Sequence, residues 1–272
     1  MDKVYIKRLN PYHRVLHLFM ALSFLGLVIS GMPLRYSYAE WAAPLVRLFG
    51  GYHAAGVVHR VCAVVTFGYF AAHIAFVLWF VARRKFRFNF FGPDSMVPRL
   101  EDIRDLYGSL QWFLGAGPRP RFDRWAYWEK FDYWAVFWGV GVIGASGLLL
   151  WFPGFFSRYL PGWMFNVATI VHSDEALLAA GFIFTIHFFN THLRPEKFPM
   201  DTVIFTGRLS EEETRRDRPL EYERLVAGGA LEARRTTPPP PWLSAGGRAV
   251  GALLVLAGMA MLALIIIGQF FS

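Results

Sequence analysis

The chain has 272 residues, 55% of them hydrophobic and 18% aromatic, with a formal net charge of +8. That balance excludes an ordinary soluble domain. The single cysteine, Cys62, excludes an internal disulfide, a CxxCH motif and a thiolate-ligated iron–sulfur site.

Five stretches are apolar enough and long enough to cross a bilayer: 15–33, 53–82, 131–152, 164–191 and 249–271. They predict an all-α integral membrane bundle. Lys and Arg gather in the N-terminal tail (Lys3, Lys7, Arg8, Arg14), in 83–128 and in 193–248. The loops 34–52 and 153–163 contribute only Arg35, Arg47 and Arg158. Read by the positive-inside rule, this asymmetry places the N-terminus in the cytoplasm and, after five crossings, the C-terminus outside. The basic residues then report topology, not a nucleic-acid partner. The first span begins with histidines and lacks a small-residue cleavage site, so it reads as a retained helix rather than a signal peptide.

Asn10-Pro11 introduces span one, and Pro33 is expected to end it. His13 and His17 lie one turn apart at its cytoplasmic end. Span two carries His59 in one leaflet and His73 in the other, fourteen residues apart. That spacing sets them within about 40° of one face and roughly 21 Å apart along the axis. His53 precedes them near the outer interface. Arg60, beside His59, is placed to neutralise an anionic group at the membrane edge. Arg83-Arg84-Lys85 stops the span. In the segment 84–130, Leu100, Ile103, Leu106, Leu110 and Phe113 recur at helical spacing. They predict a short amphipathic helix on the membrane surface or against a soluble partner.

Span three has no histidine but contains Gly139, Gly141, Gly144 and Gly147, which let helices or a flat cofactor approach closely. Span four carries His172 and His187, fifteen residues apart, within about 60° of one face and about 22 Å apart axially. Intramembrane ionisable residues of this kind read as functional. Asp174 and Glu175 are candidates to orient His172 or to carry protons. Asn190, Thr191 and His192 form a polar cluster beyond His187, at the cytoplasmic edge. The loop 193–248 holds ten basic and nine acidic residues. Within it, Ser210 to Glu213 fits a capping box, and Pro238 to Pro241 a stiff spacer. The organisation expected is a four-helix bundle over 1–192 with a cytoplasmic insert at 84–130. A cytoplasmic charged loop over 193–248 and a fifth helix over 249–271 follow.

Two helices that each carry a histidine pair, one member per leaflet, point to two stacked bis-histidine haems b held noncovalently. The outer pair is His59 with His172. For the inner haem, His187 pairs with either His17 or His73, and the remaining histidines leave room for a third haem. Bis-histidine ligation leaves no open iron position, which suits electron transfer.

Arg14-x-x-His17, followed by Ser30-Gly31 and Leu34, resembles the first helix of the membrane cytochrome b subunits of formate dehydrogenase (gamma subunit) and nickel–iron hydrogenase. That resemblance implies His17 with His187 and His59 with His172 as axial ligands. Arg14 and Arg60 then lie at the propionates. His73 and the fifteen-residue spacing depart from it. A His59–His73 and His172–His187 arrangement resembles instead the cytochrome b of quinol–cytochrome c reductases. The whole chain, including EKFDYW, GASGLLLWF, VHSDEALLAAG and RPEKFPMD, is similar to small bacterial cytochrome b/b6-domain proteins that accompany multihaem cytochromes c. The resemblance implies a subunit of a hetero-oligomeric quinone oxidoreductase complex in the bacterial cytoplasmic membrane. Menaquinone or ubiquinone would exchange electrons at the inner side, with Asn190 and His192 near it. A multihaem cytochrome c or an iron–sulfur subunit would be the outer partner. The competing readings are a stand-alone transmembrane haem reductase without quinone and a proton-coupled transporter.

Overall fold

A computed structural model describes residues 3–83 and 88–271 of the chain. Arg84, Lys85 and Arg87, part of the expected positive cluster, lie outside the described residues. The elements in order are β1 (Tyr5–Lys7), α1 (Pro11–Arg35), α2 (Ala42–Leu48), α3 (Tyr52–Arg83), α4 (Leu100–Phe113), α5 (Tyr127–Trp151) and α6 (Pro153–Phe156). Then come α7 (Trp163–Phe182), two π-helical turns (Ile183–His187 and Phe189–Leu193), α8 (Val203–Thr206), β2 (Arg208–Ser210) and α9 (Glu211–Asp217). The chain closes with α10 (Pro219–Ala227), α11 (Leu231–Arg234), β3 (Arg235–Thr236) and α12 (Pro241–Phe270). Among the described residues, five helices are long and apolar enough to cross a membrane: α1, α3, α5, α7 with its π-helical extension, and α12. The fold is mostly helical, and these five suit a multi-pass membrane protein.

Two compact units make up the chain. The first combines residues 1–14, 76–135 and 202–247. Its three-stranded antiparallel sheet has the order β2-β1-β3, with Tyr5 opposite both Ser210 and Thr236. Ile6, Leu225 and Leu231 form a small core beneath it. Arg8, just after β1, reaches Glu221 at 3.2 Å and Glu129 at 3.1 Å. Arg124 and Arg218 hold the same two carboxylates at 2.9 and 2.8 Å. With Arg234 also 3.4 Å from Glu221, buried Glu221 and half-buried Glu129 share four guanidinium groups, which satisfies lone pairs that would be costly to bury alone. The segment 193–248 is therefore folded over most of its length rather than a charged loop. Its capping box forms as expected: the Glu213 N–H donates to Ser210 Oγ, and Glu213 accepts from the Ser210 N–H.

The amphipathic helix also forms, as α4, and leaves Leu100, Ile103, Leu106, Leu110 and Phe113 exposed. Its polar side carries Asp102, bound to Lys130 of α5 through both carboxylate oxygens at 2.8 Å.

The second unit combines residues 15–75, 136–201 and 248–272. Its core joins Val28, Met32 and Tyr36 of α1 and its C-terminal turn to Phe184 and Phe188 of the α7 extension and to Met261 and Ile265 of α12. On α12, a Cβ at Gly258 would fall 2.7 Å from both Phe184 and Phe188, and one at Gly268 would fall 2.8 Å from Tyr36. Glycine at these two positions lets large aromatic rings seat against the helix backbone. The fifth helix is thus a packing helix, and it begins at Pro241, eight residues earlier than hydropathy places it. Pro33 does not end α1: the helix continues to Arg35. Asn10 caps its start, accepting from the His13 N–H at 2.9 Å, with Pro11 at the first helical position.

Candidate functional site

Four histidines from three helices meet in two pairs within the second unit. His17 of α1 lies against His187, with ring centroids 6.5 Å apart and planes inclined by 33°. His59 of α3 lies against His172 of α7, with centroids 6.2 Å apart and planes inclined by 73°. A metal–imidazole bond of about 2.0 Å and a ring radius of roughly 1.1 Å set two trans imidazole centroids about 6.2 Å apart. Both separations match one metal held between two rings.

The tautomer fits as well. His172 Nδ1 lies 2.9 Å from the Ile143 carbonyl oxygen, which only accepts, so Nδ1 carries the proton and Nε2 keeps its lone pair for a metal. The His59 Nδ1 lies 3.1 Å from Ser30 Oγ, whose own proton goes to the Gly26 carbonyl, so it too can carry the proton. Among the described residues there is no group of three or more His, Cys, Asp or Glu placed to hold a metal ion. A metal between either pair would have to bring its remaining ligands with it, as a porphyrin does.

The ring set against His187 is thus that of His17. His73 lies instead edge-on to Phe137 of α5, at 6.0 Å. His13 serves the start of α1, with its Nδ1 2.7 Å from Asn10 Oδ1. His53 is exposed in the first turn of α3. The Arg60 guanidinium folds back along its own helix toward Gly56. Arg14 belongs to the first unit, where it packs on Gly207, and its buried Nε has no hydrogen-bond partner. Asp174 and Glu175 do not orient His172. Asp174 pairs with Arg35 at 2.7 Å and Glu175 accepts from the Trp138 indole, while the backbone of Ile143 takes the orienting role. Gly147 admits the His172 ring and Gly144 admits Phe67, whereas Gly141 has nothing within 4 Å. Asn190 is half-buried, and the buried Nδ1 of His192 has no partner.

Straight α-helical geometry does not describe the end of α7. From Ile183 the hydrogen bonds shift to the wider π register, which absorbs an additional residue per turn. Thr185 Oγ1 donates to the Gly181 carbonyl at 2.6 Å and Thr191 Oγ1 to the His187 carbonyl at 2.7 Å. These bonds serve carbonyls at the i−4 positions, where the α-helical pattern is broken. Fifteen residues with one absorbed restore the facing that fourteen would give in a regular helix. The spacing therefore departs in number while conserving direction, a feature invisible to a 100° count. No protein-family model matches this sequence, and no curated protein matches it either.

Proposed function

We propose that the chain is a di-haem cytochrome b subunit that exchanges electrons between a membrane quinone and a partner redox protein. The observation that carries this reading is the pair of imidazole centroid separations, 6.5 and 6.2 Å, each joining two membrane-length helices. His17 and His187 would hold one haem b, and His59 and His172 the other, so the haem-binding helices are α1, α3 and α7, with α5 closing the outer site. A haem held by His17 and His187 or by His59 and His172 would supply reversible one-electron transfer.

What the protein contributes is position and dielectric. His172 holds its proton at Nδ1 on the Ile143 carbonyl, which raises the basicity of Nε2. Arg60, one residue from His59, is suited to a propionate at the outer edge, and the unpartnered Arg14 Nε to an anionic group at the other end of α1. His192 Nδ1, buried without a partner, and Asn190 beside it are suited to a quinone carbonyl, since a buried donor costs free energy until it is satisfied. The charge asymmetry supports an N-terminus in the cytoplasm and a C-terminus outside, in the bacterial cytoplasmic membrane. The likeness of the whole chain to small cytochrome b/b6-domain proteins supports a multihaem cytochrome c as partner, with an iron–sulfur subunit as the alternative.

Anaerobic addition of a reduced short-chain quinol to the purified protein should reduce the haems, read as growth of their visible α-band. His192→Ala and Asn190→Ala should slow that reduction at least tenfold while dithionite still reduces both haems. Reduction by dithionite but not by quinol in the native protein would contradict the quinone assignment and favour a reductase without quinone.

A further inference from the structure

The dipeptide Ser-Gly occurs once in α1, as Ser30-Gly31, and once in α5, as Ser146-Gly147. Both serines are buried, and each donates its hydroxyl proton to the carbonyl four residues earlier. Ser30 Oγ lies 2.6 Å from the Gly26 oxygen, and Ser146 Oγ 2.7 Å from that of Val142. With its proton committed, each hydroxyl turns a lone pair toward an imidazole. Ser30 Oγ is 3.1 Å from His59 Nδ1, and Ser146 Oγ is 3.4 Å from His172 Nδ1.

The glycines match to the same degree. A Cβ at Gly31 would fall 2.9 Å from His59 Cε1 and 3.2 Å from Nδ1. At Gly147 the distances to the same atoms of His172 are again 2.9 and 3.2 Å. The ring occupies the volume a side chain would need, and only glycine lets it reach the helix backbone. For His172 the backbone group it then meets is the Ile143 carbonyl, three residues before the serine.

The arrangement is therefore built twice, by α1 on α3 and by α5 on α7. The sequence extends the correspondence: Val57-Val58-His59 answers Ile170-Val171-His172, and His73 answers His187. Counting thirteen residues back from each serine gives His17 in the first half but Tyr133 in the second. The two halves run in the same sense, so the repeat is parallel rather than inverted. It accounts for five histidines at ligand depth where two haems use four: His73 is the counterpart of His187, and the position answering His17 holds a tyrosine.

We propose that Ser30-Gly31 and Ser146-Gly147 are paired positioning elements. They fix His59 and His172 in the Nδ1-protonated tautomer and set the potential of the outer haem from both sides. This rests on the haem reading above. The outer haem is recognisable by electron paramagnetic resonance. Imidazole planes near perpendicular, as at 73°, leave two iron d orbitals nearly degenerate and give a highly anisotropic low-spin signal. Planes inclined by 33° give a rhombic one.

The test is a redox titration of the purified full chain followed by that resonance, on wild type, Ser30→Ala, Ser146→Ala, the double variant and Ser30→Thr. Both single variants should keep two haems and move the outer potential alone, in the positive direction, because a lost acceptor at Nδ1 makes Nε2 a weaker donor. The double variant should move it further, and Ser30→Thr, which keeps the hydroxyl, should restore it. Gly31→Val and Gly147→Val should lose only the anisotropic signal. Two haems in the wild type with an unmoved outer potential in both serine variants, or a moved inner one, would overturn this proposal alone. A wild-type protein without haem would overturn the haem reading as well.

Discussion

Replacing His17 by alanine will lower the haem b content of the purified protein from two per chain to one, whereas His73→Ala will leave two. The pairing of His17 with His187 at 6.5 Å leaves no substitute ligand at that position once the α1 imidazole is gone. His73 sits with Phe137, and its loss removes a ring from the α3–α5 contact without touching either pair. His187→Ala should reproduce the His17→Ala loss, since each pair fails when either member is missing. His59→Ala and His172→Ala should remove the other haem. A pyridine haemochrome assay on each purified variant, with circular dichroism to verify that the helices remain, reads all five results. Loss of one haem in His73→Ala with none lost in His17→Ala would move the inner ligand to α3.

Deleting Ile186 will leave both haems in place, while inserting one alanine after Phe182 will remove the inner one. Ile186 is half-exposed in the π-helical turn that carries His187. Removing it lets the turn revert to the α register, and fourteen regular residues point His187 where fifteen with a π turn point it now. An inserted residue has no such outlet. It rotates His187 by about 100° away from His17, a displacement no rotamer change can recover. Haem stoichiometry decides here too, with the rhombic resonance marking which site is lost. Retention of both haems by the insertion would show that the π turn does not set the facing of His187.

The histidine pairs were legible in the sequence because period and depth are linear properties: two imidazoles fourteen or fifteen residues apart in apolar helices must lie near one face. The choice between His17 and His73 was not, since both have the right depth and only helix packing brings one of them to His187. The π turn was hidden for a related reason, as Ile183 to His187 carries no proline or glycine to mark a break. Asp174 and Glu175 misled because sequence proximity to His172 says nothing about direction. Two and three residues on, they face Arg35 and Trp138. Arg35 in turn belongs to the last turn of α1, which hydropathy would have closed at Pro33. The fold of 193–248 escaped because its stability lies in distant ion pairs, Arg8 with Glu221 and Arg218 with Glu129, and not in local apolar periodicity. The Ser-Gly pairs were visible as letters in α1 and α5. Their meaning came only from the two imidazole rings seated on the glycines.

The most direct measurement of the proposed haem sites is the haem content of the native protein. A pyridine haemochrome assay, with protein determined by amino-acid analysis, should return two noncovalent haems b per chain. A folded native preparation with no haem would contradict that reading, and the half-buried histidines would then be read as a proton path.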